Sequence, residues 1–331
     1  MRILLAILLS AMTSLPSAAE PIVLKFSHVV AVGTPKGKAA QRFKDLAEKY
    51  TGGAVRVEVY ADSSLYKDKE EFEALQLGAV QMIAPSLAKF SPLGIHSFEV
   101  FDLPFLFDTE EQLHRVTGGE VGRSLLESLE VRGIKGLAFW DNGFKSFSAD
   151  RAIRRPQDLR GLRMRIQSSR TLYEQMRTLG AQPEVMAFSE VYQALKAGVV
   201  DGTENPHSNL FTQRMHEVQS HVTVSRHGYL GYAVLTNLRF WDSLPGRIRD
   251  ALERAMAEAS AYANSIAAME NAKAIDRVKA FGGTAVYELT AEERAEFRRV
   301  LLPVHRKMED RIGRDLVRAV YRATGFDATI D

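Results

Sequence analysis

Two arginines on one predicted strand are the clearest candidates for binding chemistry in this sequence. Arg163 and Arg165 alternate with Met164 in the segment 162–166, so their side chains share one face of the strand. A guanidinium holds a carboxylate through two parallel hydrogen bonds. The alternative for either arginine is a solvated charge at a strand edge. The strand is therefore a candidate site for an organic anion.

Three lysines occupy comparable places. Lys36 lies at the mouth of the first strand–helix loop, Lys89 follows a strand that ends at Pro85-Ser86, and Lys145 comes just before the crossing to the second half of the chain. Each of them alone would be an ordinary surface lysine. Because they share a location at strand ends with the arginines, we expect them to contribute to one cationic site.

No pattern for covalent or metal chemistry accompanies these cations. The sequence has no Gly-x-Gly-x-x-Gly, no Walker loop, no Gly-x-Ser-x-Gly and no His-Glu-x-x-His. Four histidines fall between residues 207 and 227, but their spacing fits neither a helical pair nor a metal finger. We therefore predict no catalytic residues, no bound metal and no cofactor.

The composition bounds the class of protein. The chain has 331 residues, with 43 Lys and Arg against 41 Asp and Glu, and this balance argues against a nucleic-acid-binding protein. The length suits two lobes better than one small core. Because cysteine is absent, disulfides and thiolate metal sites are excluded.

The first half of the sequence predicts alternating strands and helices. Thr34 is the expected N-cap of the first helix, with Pro35 at its first position and Gly52-Gly53 after its end. A second helix is expected over about residues 69–77. Strands are expected at 22–27, 55–59 and 80–84. This order is typical of a mostly parallel sheet covered by helices.

The same order returns in the second half. A strand at 162–166, a helix at 170–179 and a strand at 184–187 precede a helix that Ser189 should cap, and a further strand follows residues 199–201. The string Ala-Leu-x-x-Gly-Ala-Val at 74–80 also resembles Ala-Leu-x-x-Gly-Val-Val at 194–200. We infer two α/β lobes with a ligand cleft between them, lined by the carboxyl ends of the strands.

One long helix should connect the lobes. After Gly246, no Gly or Pro occurs until Gly282, which predicts a helix of roughly 35 residues and about 50 Å. The alternative is two helices that meet near Asn264-Ser265. Thr290 then begins a C-terminal helix with a capping box.

The N-terminus predicts export. Arg2 precedes a short apolar run, and small residues at Ser17 and Ala19 fit a cleavage site, so residues 1–19 read as a signal peptide. The alternative is a buried N-terminal helix. The run is too short to span a membrane, and no cysteine follows it for a lipid anchor. We expect a mature chain that is free in the periplasm, without a membrane anchor.

Four strings carry a family resemblance over essentially the whole mature chain. They are Gly-Leu-Arg-Met-Arg-Ile-Gln at 161–167, Met-Ala-Phe-Ser-Glu-Val-Tyr-Gln-Ala-Leu at 186–195, Asp-Gly-Thr-Glu-Asn-Pro at 201–206 and, more weakly, Phe-Asp-Leu-Pro-Phe-Leu-Phe at 101–107. With them the sequence resembles the substrate-binding proteins of tripartite ATP-independent periplasmic (TRAP) transporters, of the dicarboxylate-binding, DctP-type family.

The resemblance implies roles for residues of the second lobe. Arg165 would hold a ligand carboxylate, Asn205 would support that carboxylate, and Phe188 would wall the pocket. Lys145 stands where many members have another arginine, which departs from the sialic-acid binders. His227 falls at a pocket-facing place.

The first lobe would supply the other end of the ligand site. His28 also falls at a pocket-facing place, and Lys36 and Lys89, with Ser86 near by, would receive a second carboxylate.

The leading hypothesis is a receptor for a C4-dicarboxylate such as malate, succinate or fumarate, which captures its ligand by lobe closure and delivers it to TRAP membrane permease subunits. One alternative is a receptor for another organic acid, namely a monocarboxylate, keto acid, sugar acid or aromatic acid. The other is a secreted enzyme acting on such acids, which the missing catalytic pattern disfavours.

The expected fold is that of a two-lobed periplasmic binding protein, with lobe I at 20–145 completed by about 234–264 and lobe II at 146–233 completed by about 265–331.

Overall fold

The computed structural model describes residues 20–328. The predicted signal peptide, residues 1–19, lies outside the described residues, as do residues 329–331. The strands are β1 (Ile22–Ser27), β2 (Val55–Tyr60), β3 (Met82–Ile83), β4 (Ile134–Phe144), β5 (Ser146–Ala149), β6 (Arg163–Ile166), β7 (Gln182–Val185), β8 (Gly202–Asn205), β9 (His221–Val224), β10 (Tyr229–Asn237) and β11 (Ala285–Glu288). The helices are α1 (Pro35–Tyr50), α2 (Glu71–Gln76), α3 (Glu110–Thr117), α4 (Glu120–Glu127), α5 (Arg170–Thr178), α6 (Val191–Lys196), α7 (His207–Thr212), α8 (Leu238–Ser243), α9 (Gly246–Phe281), α10 (Ala291–Leu301), α11 (Pro303–Ile312) and α12 (Arg314–Thr324).

Within residues 20–328 the strands form two separate sheets, one in each lobe. Lobe I is built on the order β2-β1-β3-β10-β4, and lobe II on β11-β9-β5-β8-β6-β7. β1 runs parallel to β2 and β3, and β6 runs parallel to β7 and β8. The α/β class and the two-lobed architecture predicted from the sequence are confirmed.

Local signals account for the first unit of lobe I. The Thr34 side chain accepts a hydrogen bond from the Gly37 amide, as the N-cap of α1 should. Phe43 and Leu46 of α1 pack with Phe26 of β1 in the core of this lobe, and all three are buried. A fully buried side chain of this size contributes about 1.5–3 kcal/mol through the apolar surface removed from water.

One start signal in lobe II was misread. Ser189 does not cap α6, because Phe188–Glu190 forms a short 3₁₀ turn and the helix begins only at Val191. The residue at the N-cap is Glu190, and its side chain makes no capping hydrogen bond. The prediction of a Ser189 cap is therefore wrong by one residue.

The long helix α9 is continuous for 36 residues, about 54 Å, through Asn264-Ser265. It packs on α1 and β4 of lobe I and on α7 and β11 of lobe II. The predicted helix that spans both lobes is confirmed, and the alternative of two shorter helices is wrong.

The chain crosses between the lobes twice in addition to α9. The first crossing joins β4 to β5 at Lys145, and the second joins β9 to β10 before Tyr229, earlier than the expected return near residue 234. The two crossings are bonded to each other, because the Lys145 amide donates to the Gly228 carbonyl at 2.8 Å. The C-terminal helices contact both lobes, with α12 on α3 and α11 on α5.

Candidate functional site

The two arginines of β6 have different environments although they share a strand face. Arg163 is about two-fifths exposed and forms an ion pair with Asp201, with 2.6 Å between Nη2 and Oδ1. Arg165 is 1% exposed, and its Nε and Nη2 both donate to the Met186 carbonyl, at 3.1 and 2.8 Å. Its guanidinium lies 5.7 Å from the centre of the Phe188 ring. Arg165 is therefore the buried cation of this strand, and Arg163 is a surface ion pair.

The neighbouring strand β8 brings an amide to the same place. β8 is parallel to β6 with Thr203 opposite Arg165. Asn205, at the carboxyl end of β8, donates from Nδ2 to the Thr203 hydroxyl at 3.2 Å, and that hydroxyl donates to the Arg165 carbonyl at 3.4 Å. The structure thus places Arg165, Phe188 and Asn205 together at the carboxyl ends of the lobe II strands.

Lys36 is a fully buried lysine of lobe I. Its Nζ donates to the Ala84 carbonyl at 2.8 Å and lies 3.8 Å from the centre of the Tyr232 ring. Burial, together with the nearby charge of Lys89, lowers the pKa of Lys36 from 10.5 to about 7. A bound anion would favour the charged ammonium, so this site is suited to accept negative charge.

Lys89 and Ser86 lie at the contact between the lobes. Lys89 forms an ion pair with Asp68, and both side chains are less than 10% exposed. The second oxygen of Asp68 accepts from the Phe188 amide of lobe II at 2.6 Å. The Ser86 hydroxyl accepts from Nε2 of Gln167, also of lobe II, at 2.6 Å.

Two of these residues, Asp68 and Gln167, escaped the sequence analysis. Gln167 is the last residue of the string at 161–167 that carries the family resemblance, so the sequence did contain a signal for this residue. Asp68 lies in the charged segment Lys67-Asp68-Lys69-Glu70 and carries no local signal of burial.

Lys145 and His227 belong to a buried network centred on Glu204. Glu204 accepts from Lys145 Nζ at 2.7 Å and contacts His227 Nε2 at 2.8 Å, and the other ring nitrogen of His227 contacts the Ser225 hydroxyl at 2.6 Å. The His227 ring stacks on Phe147 with 3.8 Å between ring centres. Burial opposes ionisation of Glu204, but Lys145 and His227 outweigh it and lower its pKa to about 2. The charge of Lys145 is thus neutralised inside the protein.

His28 and Glu71 are buried near Lys36. Burial and the charge of Lys36 lower the pKa of His28 to about 3, so the ring is neutral at physiological pH. Burial raises the pKa of Glu71 to about 7. Both ring nitrogens of His28 and both carboxyl oxygens of Glu71 are buried without a hydrogen-bond partner among residues 20–328. This end of the cleft therefore has polar atoms that a ligand could satisfy.

No group of three or more His, Asp or Glu in residues 20–328 is placed to hold a metal ion. No helix in that part of the chain is long and apolar enough to cross a membrane.

Comparison with known proteins gives consistent results. The profile of the bacterial extracellular solute-binding protein family 7 (DctP) matches residues 26–311. The C4-dicarboxylate-binding periplasmic protein DctP of Rhodobacter capsulatus is 64% identical over 316 residues, which are 96% of this chain and 95% of that protein.

Solved structures agree in fold. A TRAP periplasmic solute-binding protein from Shewanella oneidensis with bound succinate superposes with a TM-score of 0.89 at 40% identity, covering 92% of this chain and 99% of that one. A second, from Pseudomonas aeruginosa PAO1 with bound L-malate, gives a TM-score of 0.85 at 43% identity, covering 87% of this chain and all of that one.

Proposed function

Because the chain belongs to the bacterial extracellular solute-binding protein family 7, whose members are receptors of TRAP transporters and not enzymes, we propose that it captures a C4-dicarboxylate such as succinate, malate or fumarate. Closure of the lobes buries the ligand, and the closed form delivers it to TRAP permease subunits in the membrane. The mature protein acts in the periplasm after removal of residues 1–19.

The observation that carries the proposal is the charge of the closed cleft. Arg165, Lys36 and Lys89 are the cationic side chains of the cleft, Asp68 pairs with Lys89, and the buried Glu71 is only partly ionised at pH 7 because its pKa is raised to about 7. The Lys145 charge is absorbed by Glu204. The remaining excess of positive charge favours an anionic ligand, and a buried anion requires cations and donors at each carboxylate.

The arrangement of these cations also fits a ligand with two ends. Arg165 and Asn205 stand on lobe II, whereas Lys36 and Lys89 stand on lobe I. We propose that the first pair holds the proximal carboxylate and that the lysines, with Ser86 and His28, receive the distal one. Phe188 would wall the pocket between them, and Lys145 with His227 would support the site through Glu204.

A thermal-shift screen over organic acids tests the proposal. Succinate, malate and fumarate at 100 times their Kd should each stabilise the native state by about 2.7 kcal/mol, which raises the Tm by several degrees. Butyrate, a sugar acid and an aromatic acid at the molar concentration used for succinate should give smaller increases in Tm. A larger shift with one of those acids would assign the receptor to that ligand class instead, and turnover of any acid would make the protein an enzyme.

The mass of the secreted protein tests the proposed location. Protein recovered from the periplasm should begin at Glu20, since Ser17 and Ala19 fit the cleavage pattern. Recovery of the uncut chain would contradict the predicted export.

A further inference from the structure

The loop between β2 and α2, residues 61–70, bridges the cleft to lobe II. Three polar contacts cross from it: Gln213 Nε2 donates to Asp62 at 2.8 Å, Lys67 pairs with Glu190 at 3.7 Å, and the Phe188 amide donates to Asp68 at 2.6 Å.

These contacts differ in exposure and hence in strength. The Lys67 and Glu190 side chains are each 53% exposed, and a pair in water contributes little. The Asp68 side chain is only 9% exposed, and the Lys89 side chain that it pairs with is 6% exposed. Loss of a partner within a buried pair is costly, because the remaining charge is left unpaired away from water.

Both oxygens of Asp68 are engaged, and each is engaged by a different lobe. Oδ1 accepts from Lys89 of lobe I, and Oδ2 accepts from the Phe188 amide of lobe II. Lys89 outweighs the effect of burial and, with Arg165, lowers the pKa of Asp68, so the carboxylate is charged at neutral pH. The Phe188 ring in turn lies under the Arg165 guanidinium. Asp68 thus connects the cation of one lobe to the backbone beside the cation of the other.

We propose that Asp68 is a positioning residue that locks the closed cleft: it holds Lys89 in place for the ligand and ties lobe I to lobe II, so it governs the rate of ligand release. The identity of the ligand in this proposal rests on the proposed function, but the contact between the lobes does not. Because Asp68 contacts lobe II only once the lobes have met, its contacts should lower koff more than they change kon.

Stopped-flow kinetics with succinate test the proposal. Asp68→Ala removes both links and should raise koff at least about 30-fold, with kon changed less than about threefold. Asp68→Asn keeps an oxygen for the Phe188 amide but loses the charge for Lys89, so its koff should fall between those of Asp68→Ala and the wild type. Glu190→Gln removes the charge of the neighbouring exposed ion pair and should leave koff within about threefold of wild type.

A distance measurement separates locking from general damage. The chain has no cysteine, so Leu77→Cys on lobe I and Val199→Cys on lobe II, both exposed positions, can carry a pair of spin labels. With saturating succinate, the Asp68→Ala protein should show a longer or broader distance between the labels than the wild type and Glu190→Gln.

The outcomes test the proposed ligand and the proposed role of Asp68 independently. If wild-type protein does not bind succinate, the proposed ligand is wrong, and the label distances in ligand-free wild type and Asp68→Ala still test the lock. If wild type binds succinate and folded Asp68→Ala and Asp68→Asn release it at the wild-type rate with unchanged distances, the role of Asp68 is overturned.

Discussion

Replacement of Arg165 by alanine should weaken succinate binding by about 30- to 4000-fold. Two of the five guanidinium donors are used by the Met186 carbonyl, which leaves three for a ligand. The side chain is 1% exposed, so a carboxylate bound to it is removed from water. Loss of one partner from such a pair costs about 2–5 kcal/mol, and each 1.4 kcal/mol is a factor of ten in Kd.

Arg165→Lys separates charge from geometry. A lysine keeps the positive charge, but its compact ammonium lacks the planar fork that could bind two ligand oxygens while it holds the Met186 carbonyl. We expect a loss of about 10- to 100-fold, smaller than that of the alanine variant. Both variants should remain folded without ligand, because the proposed role of the Arg165 charge is to bind the ligand, and burial, which lowers the pKa of Arg165, works against that charge in the fold.

Isothermal titration calorimetry with succinate measures both losses, and circular dichroism verifies the fold. Arg163→Ala is the matched control: it lies two residues away on the same strand, but it pairs with Asp201 at the surface. Its Kd should stay within about threefold of wild type. An unchanged Kd for Arg165→Ala, or an equal loss for Arg163→Ala, would refute the assignment of Arg165 to the site.

Four further predictions concern the buried charges. Glu204→Gln should destabilise the protein by about 3–5 kcal/mol in urea denaturation, since Lys145 is left buried without its partner, and adding Lys145→Met should recover part of this loss. The folded pKa of Glu204 is about 2 against an ordinary 4.5, so its ionisation stabilises the fold fully above pH 4.5, and denaturation at decreasing pH should show this stability lost toward pH 2. Succinate affinity, followed by calorimetry from pH 6 to 9, should fall as pH rises above 7, because Lys36 loses its charge and Glu71 gains one; constant affinity would exclude both from the site. In the double variant Lys36→Met with Lys89→Met, succinate should lose most of its advantage in binding affinity over butyrate. If the affinities of the two ligands fall equally instead, the lysines are ordinary surface charges.

Elements with strong local signals were predictable from the sequence alone. Thr34 and Pro35 located the start of α1, and the absence of Gly and Pro after Gly246 predicted the continuous helix α9. The start of α1 and the continuity of α9 depend on the backbone preferences of neighbouring residues, so they can be predicted from short stretches of sequence.

Pairings between distant residues were not predictable in this way. Lys145 read as a cation for the ligand, but 59 positions separate it in sequence from Glu204, which neutralises it. Asp68 and Phe188 are 120 positions apart, and only the approach of the two lobes brings them together. Such contacts depend on tertiary structure, and no local pattern distinguishes a buried Asp68 from a solvated one.

Calorimetric titration of the mature wild-type protein with succinate and with butyrate, two acids of nearly equal length, tests whether the site requires a second carboxylate. We predict one site for succinate and binding of butyrate at least about 100-fold weaker, because closure without a distal carboxylate would leave Lys36 and Lys89 buried with only Asp68 to balance their charge. Equal or tighter binding of butyrate would contradict the dicarboxylate assignment.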